Sequence, residues 1–403
     1  MPRSQDPGAP ITSPAAAAVF TMVLTRGPVS RVDVCRLTGL SSAAVTKAAR
    51  PFIEAGYLRE LASTERTAPG AGRPASPLAI VPEREYFVGV KITSDDLIGV
   101  VTDLGSRIVA ARHHALPGFD VRTAAPDAPT PMEPADVVAV IAALVTELLD
   151  EHPDFRGRAR RLGIAISGDA DRSTGTVRYS PFLGWRDVPL AGLLEEATGL
   201  ITTLENDVKA LAVAEQWFGE GVGASSFALV TVGTGIGSAF VVNGGLVSGA
   251  FGVSGEIGHV PIGIEGPHCH CGAMGCLEAL ASTQALLTEA RRATGTDDLT
   301  IEQAVDLARS GDQVLRGVFA TVGRAIGLGL AVVANLLGPE RLVVSGEGLD
   351  AYDLFEESIR EAFAVQAYGS AGRCGLVIRP LPFEEWARGA AAVAIQSLVT
   401  PSS

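Results

Sequence analysis

Hydrophobic positions along the chain predict a helical segment at residues 13–80, called the head below, followed by residues 81–403, the body, which have a different pattern. From Ser13 to Arg26 apolar residues recur at helical spacing, and Gly27-Pro28 ends the pattern. A short second helix is predicted over Arg31–Thr38, and a longer third helix from about Ser42 to Ala55. Pro51 lies inside the third helix and is expected to kink or split it. A short helix, a glycine-containing turn and a longer helix are typical of a helix-turn-helix.

The third helix has one apolar face and one face suited to DNA. In this helix and just before it, four apolar residues are predicted to pack inward: Leu37, Leu40, Val45 and Phe52. The opposite face carries side chains that are small enough or basic enough to enter a major groove. The candidate DNA contacts are Ser42, Ala43, Thr46, Lys47 and Arg50, together with Arg31 at the start of the second helix.

Two predicted strands, Tyr57–Leu61 and Leu78–Ile80, would form a wing after the third helix. Between them, Pro69–Pro74 is a flexible tip that carries Arg73, a side chain suited to a minor groove or to phosphate. Three short helices and a hairpin would also suit an ordinary protein-interaction module. The basic side chains favour DNA, so residues 13–80 are predicted to be a winged helix-turn-helix domain and residues 1–12 a disordered leader.

After about Val81 the pattern changes to alternating strands and helices. Several buried strands open into glycine-containing turns, which is typical of α/β proteins, and ligands then gather at the strand ends. Pro117–Glu133 is rich in proline and alanine and is predicted to be a surface loop. The predicted strands are Tyr86–Ile92, Leu97–Asp103, Leu162–Ile166, Phe227–Val232 and Leu342–Val344; the predicted helices are Asp136–Glu151, Val208–Phe218, Thr283–Ala293, Val314–Leu337 and Ala351–Ala364.

The charge distribution supports a division between head and body. The 403 residues carry a net charge of −13, which by itself argues against nucleic-acid binding. Residues 1–80, however, contain nine Lys or Arg and five Asp or Glu, a net charge of +4 that leaves −17 for the rest of the chain. A basic head on an acidic body suits a DNA-binding module attached to a small-molecule domain.

Composition narrows the class of protein further. Hydrophobic residues make up 47% of the chain, enough for a large core, and no apolar run is expected to be long enough to cross a bilayer. The protein is therefore expected to be cytoplasmic and not membrane-associated. Five cysteines are too few and too unevenly placed for a disulfide scaffold. Three of them lie within eight residues, which indicates a metal in a reducing compartment.

One histidine and three cysteines within eighteen residues carry the strongest chemical signal. They lie in Gly255-Glu256-Ile257-Gly258-His259 and in the segment from Cys269 to Glu278. Such a set can close a tetrahedral Zn²⁺ site that leaves no position for water, so the metal would be structural. Gly272 and Gly275 allow the sharp turns that the segment needs. The predicted ligands are His259, Cys269, Cys271 and Cys276, with His268 and His270 as secondary candidates.

Two further motifs could bind a ligand. In Leu204-Glu205-Asn206-Asp207, Asp207 could accept a proton from a sugar hydroxyl and Asn206 could orient a neighbouring one, although such a pair alone is more often a helix cap. Thr231–Gly237 is a glycine-rich turn whose backbone N–H groups could cradle phosphate, a weak signal by itself. The residues of this candidate loop are Gly233, Thr234, Gly235 and Gly237.

The order and spacing of these motifs resemble the ROK family of repressors, open reading frames and sugar kinases. The resemblance covers essentially the whole chain, and the two segments with the predicted zinc ligands are its most specific part. It implies an actin-like, two-lobed ATPase fold with a sugar in the cleft and a zinc-braced wall. His259 would serve zinc and sugar with one ring nitrogen each. The sugar-binding positions that the resemblance implies are Asn206, Asp207, Glu256, His259 and Glu278.

The resemblance also separates a kinase from a regulator. Kinases of the family begin the domain with Asp-x-Gly-Gly-Thr, but here Lys91 stands at the Asp position and the glycine pair is missing. Glu347 stands near the family's adenosine position, where a negative charge disfavours a nucleotide. Phosphoryl transfer depends on positioning and charge neutralisation, so a degenerate kinase with no catalytic residue is expected. Were the protein a kinase, Asp207 would be its base; otherwise the loop at Gly233–Gly237 is vestigial.

These inferences predict a regulator of carbohydrate-related genes that binds a palindromic double-stranded operator as a homodimer or homotetramer. Its effector would be a sugar or a phosphosugar, and its cofactor structural Zn²⁺. The body, residues 81–403, is expected to have a small lobe (about 81–203 plus a C-terminal helix at about 384–400) and a large lobe (about 204–383). The alternatives are an ATP-dependent sugar kinase with a fused DNA-binding domain, or a regulator that responds to a phosphosugar or a protein partner. Phe182, where many family members have Asn, leaves the choice of sugar open.

Overall fold

The computed structural model describes residues 9–62, 76–116 and 133–399. The helices are α1 (Pro14–Arg26), α2 (Arg31–Thr38), α3 (Ser42–Glu54), α4 (Pro134–Asp150), α5 (Pro153–Arg158), α6 (Leu190–Thr198), α7 (Asp207–Phe218), α8 (Leu277–Ala281), α9 (Thr283–Thr294), α10 (Ile301–Arg309), α11 (Gln313–Leu337), α12 (Tyr352–Gln366) and α13 (Glu384–Gln396). The strands are β1 (Leu58–Glu60), β2 (Leu78–Ile80), β3 (Tyr86–Ile92), β4 (Asp96–Asp103), β5 (Ile108–Ala115), β6 (Ala159–Ile166), β7 (Asp169–Asp171), β8 (Thr176–Ser180), β9 (Trp185–Val188), β10 (Ile201–Asn206), β11 (Phe227–Val232), β12 (Ile236–Val242), β13 (Gly245–Leu246), β14 (Arg341–Ser345) and β15 (Gly375–Arg379).

The chain divides into two compact units. The first comprises Met1–Gly223 and Glu384–Ser403, and the second comprises Ala224–Phe383. The head thus groups with the lobe that follows it instead of forming a unit of its own. Helix α7, which the sequence assigned to the large lobe, also belongs to the first unit, because it packs against α13 and β10.

Local capping explains where the three helices of the head begin. The hydroxyl groups of Ser13, Ser30 and Ser41 each accept a hydrogen bond from a backbone N–H in the first turn of α1, α2 and α3. Gly39 ends α2 in the left-handed conformation, with φ of 72°. Pro51 does not split α3, which continues to Glu54. Strands β1 and β2 then pair antiparallel.

One side chain of the head departs from its predicted position. Leu37 was expected to pack inward, but it is 42% exposed, whereas Val34 on the same helix is fully buried. The eight residues of α2 hold several apolar side chains on more than one face, so the sequence left its orientation ambiguous. Val45 and Phe52 are buried as predicted, and Leu40 packs against the same apolar cluster.

The first unit is built on a five-stranded sheet with the order β10-β6-β3-β4-β5. Strands β10, β6 and β3 are parallel, and β4 and β5 continue the sheet antiparallel. Helix α13 lies close against β3 and β6: a Cβ atom on Gly89 or Gly163 would lie about 2 Å from a backbone oxygen of α13. The parallel arrangement brings the ends of β3, β6 and β10 to one edge of the sheet.

The head and the sheet share one apolar core. Buried side chains of α1, α3 and β2 form a continuous cluster with Phe87 and Val100 of the sheet, Trp217 of α7 and Ile395 of α13. Polar contacts fasten the junction: Arg84 donates a 2.8 Å hydrogen bond to the oxygen of Ala55, and the hydroxyl of Tyr57 donates a 2.6 Å hydrogen bond to Glu85. The head is therefore joined to the lobe by packing as well as by the chain.

The second unit contains a sheet with the order β13-β12-β11-β14-β15, in which β11, β14 and β15 are parallel. Helix α11 packs on α9 and α12 in its core. Contrary to the expectation that no apolar segment could cross a bilayer, the length and composition of α11 would allow it. Because 67% of its most apolar stretch is buried inside the protein, α11 has the properties of a core helix.

Candidate functional site

Asn206 and Asp207 lie at the junction of β10 and α7. The side-chain oxygen of Asn206 accepts hydrogen bonds from the backbone N–H groups of Val208 and Lys209, at 3.0 and 3.2 Å. Its amide nitrogen donates to the oxygen of Gly168 at 3.1 Å. Asn206 is therefore the N-cap of α7, one of the two interpretations that the sequence left open, and it fixes the position of Asp207.

The carboxylate of Asp207 forms a buried ion pair with Lys91. Both residues are less than 10% exposed. The ammonium group of Lys91 donates to one carboxylate oxygen of Asp207 and to the hydroxyl of Ser167, which donates to the same carboxylate oxygen at 2.6 Å. The second carboxylate oxygen accepts a 2.9 Å hydrogen bond from the N–H of Val208. The Lys91 ammonium also lies 5.6 Å from the ring centre of Trp386.

This environment determines the protonation of Asp207. Burial alone would raise its pKa, but the charge of Lys91 and the hydrogen bonds from Lys91 and Ser167 lower the pKa below its ordinary value. A carboxylate with a lowered pKa accepts a proton less readily, so the contacts oppose the role of a general base. The sequence identified Lys91 only as the loss of an acidic metal partner. Its pairing with Asp207, and the part played by Ser167, were missed.

In the glycine-rich segment, residues 233–235 form a tight turn between the antiparallel strands β11 and β12, and β12 begins at Ile236. The N–H of Thr234 donates to the carboxylate of Glu347 at 2.9 Å, and the N–H of Ile236 donates to the carboxylate of Glu278 at 3.0 Å. Gly233 is buried against Glu347, and a Cβ atom at this position would lie 2.0 Å from the Glu347 carboxylate. Two negatively charged side chains therefore already occupy donors of the turn.

His259, Cys269, Cys271 and Cys276 come together as the sequence predicted. Their ligand atoms all lie within 4.8 Å of one another and could hold a metal ion. The Sγ atom of Cys269 lies 3.5 Å from Nδ1 of His259, and the Sγ atoms of Cys271 and Cys276 lie 3.8 Å apart. Gly272 and Gly275 adopt the positive φ angles, 92° and 69°, of the sharp turns expected there.

The surroundings of the three thiols differ. Burial raises the pKa of the Cys276 thiol to about 12 and also raises the pKa of Cys269. Cys271 is exposed, and its pKa is lowered, chiefly by a hydrogen bond from the backbone of Ala273. A metal ion bound here must displace the thiol protons, so its binding strengthens as pH rises.

The other predicted ligands of the second unit lie beside the metal cluster. Nδ1 of His270 lies 3.1 Å from Oε1 of Glu278, while Oε2 of Glu278 accepts from the glycine-rich turn. Glu278 therefore links the cysteine segment to that turn. His259 presents Nδ1 to the thiols, and Glu256 is exposed. His268 does not belong to either group of candidate metal ligands found among the described residues.

The candidate DNA contacts occupy two kinds of position. Five of them are exposed on α3, opposite its buried face: Ser42, Ala43, Thr46, Lys47 and Arg50. Arg50 pairs with Glu54 one turn later, at 2.7 Å. Arg31 is half-buried and pairs with Glu60 of β1, so in this structure it connects α2 to the hairpin. Arg73 lies outside the described residues.

Comparison with known proteins places these features in a family. The profile of the ROK family matches residues 88–397. The DNA-binding transcriptional dual regulator NagC of Escherichia coli K12 is 29% identical over 362 residues, which cover 87% of this chain and 85% of NagC. A crystal structure of a ROK family transcriptional regulator, a homolog of the E. coli MLC protein, superposes with a TM-score of 0.77 at 26% identity and covers 95% of this chain and 96% of its own.

A kinase of similar fold matches a smaller part of the chain. The ROK family glucokinase of Streptomyces griseus, solved with glucose and AMPPNP, gives a TM-score of 0.65 at 29% identity and covers 77% of this chain and 99% of its own. The body thus has the actin-like α/β fold of ROK sugar kinases. Because the family profile matches well over half of the residues, the chain belongs to the ROK family.

Proposed function

We propose that the protein is a sugar-responsive transcriptional regulator that binds DNA through a winged helix-turn-helix at residues 13–80 and acts in the cytoplasm. The observation that carries the proposal is the exposed face of α3, where Lys47 and Arg50 lie among small side chains while the opposite face is buried. An α-helix with such a face fits a major groove, and basic side chains at its rim reach phosphates. The similarity to DNA-binding regulators over most of their length supports the same function.

The proposed effector is a sugar or a sugar derivative. Carboxylates, an amide and an imidazole suit a polyhydroxylated ligand, because every hydroxyl group needs a directed donor or acceptor. In the first unit, Asn206 and Asp207 are the proposed contacts; in the second unit, they are Glu256, His259 and Glu278. Since Asp207 begins α7, and Trp217 near the end of α7 packs in the core shared with the head, a sugar at Asp207 acts on the body that carries α3.

The proposed metal is Zn²⁺ in a structural role. Four ligands around a tetrahedral zinc ion, with Zn–S of about 2.3 Å and Zn–N of about 2.0 Å, are separated by about 3.5 to 3.8 Å. The spacings of 3.5 Å between His259 and Cys269, and of 3.8 Å between Cys271 and Cys276, fit this arrangement. Three thiols and one imidazole fill the coordination sphere, so the ion would brace the segment without activating water.

The same proposal assigns no kinase activity to the protein. A phosphoryl-transfer base must accept a proton from the sugar, whereas the Asp207 carboxylate is held ionised and engaged by Lys91 and Ser167. The position of Lys91, where family kinases have an acidic residue, removes a partner for the metal that accompanies ATP. The protein is then a degenerate kinase, with Asp207 retained for binding.

The direct test is selection of bound duplexes from a random double-stranded DNA library, followed by affinity measurements on the enriched sequence. We expect a palindromic sequence with half-sites about one helical turn apart, bound by a homodimer or homotetramer. Arg50→Ala and Lys47→Ala should each weaken binding about tenfold or more at constant salt. Arg324→Ala, which removes an exposed arginine of α11 in the second unit, is the control and should leave the affinity unchanged.

The effector is identified by titrating the protein–DNA complex with monosaccharides and phosphosugars. One of them should change the DNA affinity, and none should support release of ADP from ATP. Enrichment of no sequence would defeat the DNA-binding proposal. Unchanged affinity of both Arg50→Ala and Lys47→Ala would show instead that α3 is not the recognition helix. Sugar-dependent ADP release would instead establish the kinase alternative.

A further inference from the structure

The turn between β11 and β12 has the features of an oxyanion site. Its N–H groups at Thr234 and Ile236 both donate to carboxylate oxygens, at 2.9 and 3.0 Å. Because residues 233 and 235 are glycines, no side chain separates the backbone from the carboxylates of Glu347 and Glu278. An added Cβ atom at either glycine would lie 2.9 Å or less from one of these carboxylates. A glycine-rich turn with outward N–H groups binds phosphate by the same hydrogen bonds.

Glu347 is held in the turn by its own backbone. It follows Gly346, whose φ of 108° is available to glycine, and a Cβ atom on Gly346 would lie 2.3 Å from the oxygen of Val232. Gly348 is similarly close, at 2.9 Å from the same oxygen. The two glycines therefore allow the segment to approach the end of β11, and Glu347 between them projects a carboxylate onto the N–H of Thr234.

We propose that the Glu347 carboxylate is a built-in anion that closes a phosphate site formed by the turn at Gly233–Ile236. A phosphate group approaching the turn would compete with Glu347 for the N–H of Thr234, and it would meet the negative charges of both Glu347 and Glu278. Like charges at hydrogen-bond distance repel strongly where part of the surroundings is protein. The site takes phosphate esters and diphosphates when the charge of Glu347 is removed, and takes them most tightly when its bulk is removed as well.

Closure of this turn has a consequence that depends on the regulatory function proposed above. A regulator that keeps the fold of an ATP-binding enzyme would otherwise bind nucleotides, which compete with or distort its response to sugar. With Glu347 in place, the response to sugar is independent of nucleotide concentration. The glycines of the turn and the glycines on either side of Glu347 are thereby retained for their packing, while the phosphate site is kept closed.

The test is calorimetric titration of the full-length protein with ADP and with inorganic pyrophosphate, which separates phosphate recognition from recognition of adenosine. We expect no measurable binding to the unaltered protein. Glu347→Ala removes the competing group and should bind both probes at least about tenfold more tightly than the unaltered protein. Glu347→Gln removes the charge but keeps an oxygen that can accept from Thr234, so its affinity should lie between the two.

Glu357→Ala is the matched control, because Glu357 is an exposed glutamate on α12 of the same unit. Its affinity for both probes should equal that of the unaltered protein. Equal binding, or equal lack of binding, by Glu347→Ala and the unaltered protein would overturn the proposal, provided that the melting profile of the variant shows a folded second unit. The DNA affinity of the unaltered protein and of the same variants is measured in parallel. If DNA binding is retained while the phosphate result fails, only the phosphate proposal is rejected. If none of these proteins binds DNA, the regulatory function is rejected separately.

Discussion

The two units organise their polar groups in opposite ways. In the first unit, the Lys91–Asp207 pair is buried in a body whose apolar core continues from the sheet into the head. In the second unit, Cys269 and Cys271 lie in a segment without helix or strand, and Glu278, in the first turn of the short helix α8, accepts a hydrogen bond from the nearby glycine-rich turn. A site inside a packed core supplies its own counter-charge and needs no ion. A site on irregular loops needs a metal or a carboxylate to hold its donors together.

Loss of the metal should therefore have the largest effect, confined to the second unit. Cys271→Ser removes an exposed ligand without disturbing buried packing. We expect the bound zinc to fall from one ion per chain toward none, with a loss of about 3 kcal/mol or more, on the order of 10 °C in Tm. Atomic absorption and calorimetric melting measure the two quantities.

Cys374→Ser is the control for that experiment, because Cys374 lies in the same unit but outside the metal cluster. It should keep its zinc and melt nearly as the unaltered protein does. If Cys271→Ser retained one zinc ion and the same Tm, the assignment of Cys271 as a zinc ligand would be wrong. The contrast between the two units would disappear if Cys271→Ser lost its zinc and kept the same Tm, because the second unit would then need no metal.

Breaking the buried ion pair should have the next largest effect, in the first unit. Lys91→Met keeps most of the side-chain volume but leaves Asp207 buried without its cation, which should cost about 3 kcal/mol. Adding Asp207→Asn removes the uncompensated charge and should restore a large part of the loss. Denaturant unfolding of the single and double variants measures the coupling between the two side chains.

The stability of Lys91→Met should depend on pH differently from that of the unaltered protein. In the unaltered protein the pKa of Asp207 is lowered, so the stability that the pair contributes is present above the ordinary carboxyl pKa near 3.8 and is lost only as pH falls through the lower folded value. Without Lys91, burial should raise this pKa, and protonation should relieve the cost. Lys91→Met should therefore gain stability relative to the unaltered protein between pH 7 and pH 5; a parallel decline of both proteins would contradict the assignment.

The same contrast explains which features could be predicted from the sequence. Helix starts were predictable because serine caps are local, and the metal cluster was predictable because its ligands are close in sequence and chemically distinctive. The pairing of Lys91 with Asp207 was not, because 116 residues separate them and only the order of β3, β6 and β10 in the sheet brings them together. Glu347 was suspected on grounds of charge, but its hydrogen bond to Thr234 depends on how two distant turns pack.

The packing of the head against the rest of the first unit could not be predicted from the sequence either. A basic head on an acidic body suggested two separate modules, whereas the structure joins them through a shared core and the contacts of Tyr57, Arg84 and Glu85. Apolar residues such as Phe87 and Trp217 do not reveal in the sequence which element covers them. A rearrangement of the head therefore involves the whole first unit, because buried side chains of α3 pack in the same core as the sheet.

The smallest expected effect tests that attachment. Tyr57→Phe removes the hydroxyl that donates to the buried carboxylate of Glu85 while keeping the ring, which also packs against Arg84. A hydrogen bond to a charged group contributes about 1.5 kcal/mol, so the first unit should lose roughly that amount. Tyr368→Phe is the control, since Tyr368 is 87% exposed in the second unit and its change should be neutral. Hydrogen exchange of α1 and α3 decides the outcome: exchange that rises together in the head and in β3 indicates one cooperative body, whereas a rise in the head alone would show that the head opens independently and would restore the picture of two tethered modules.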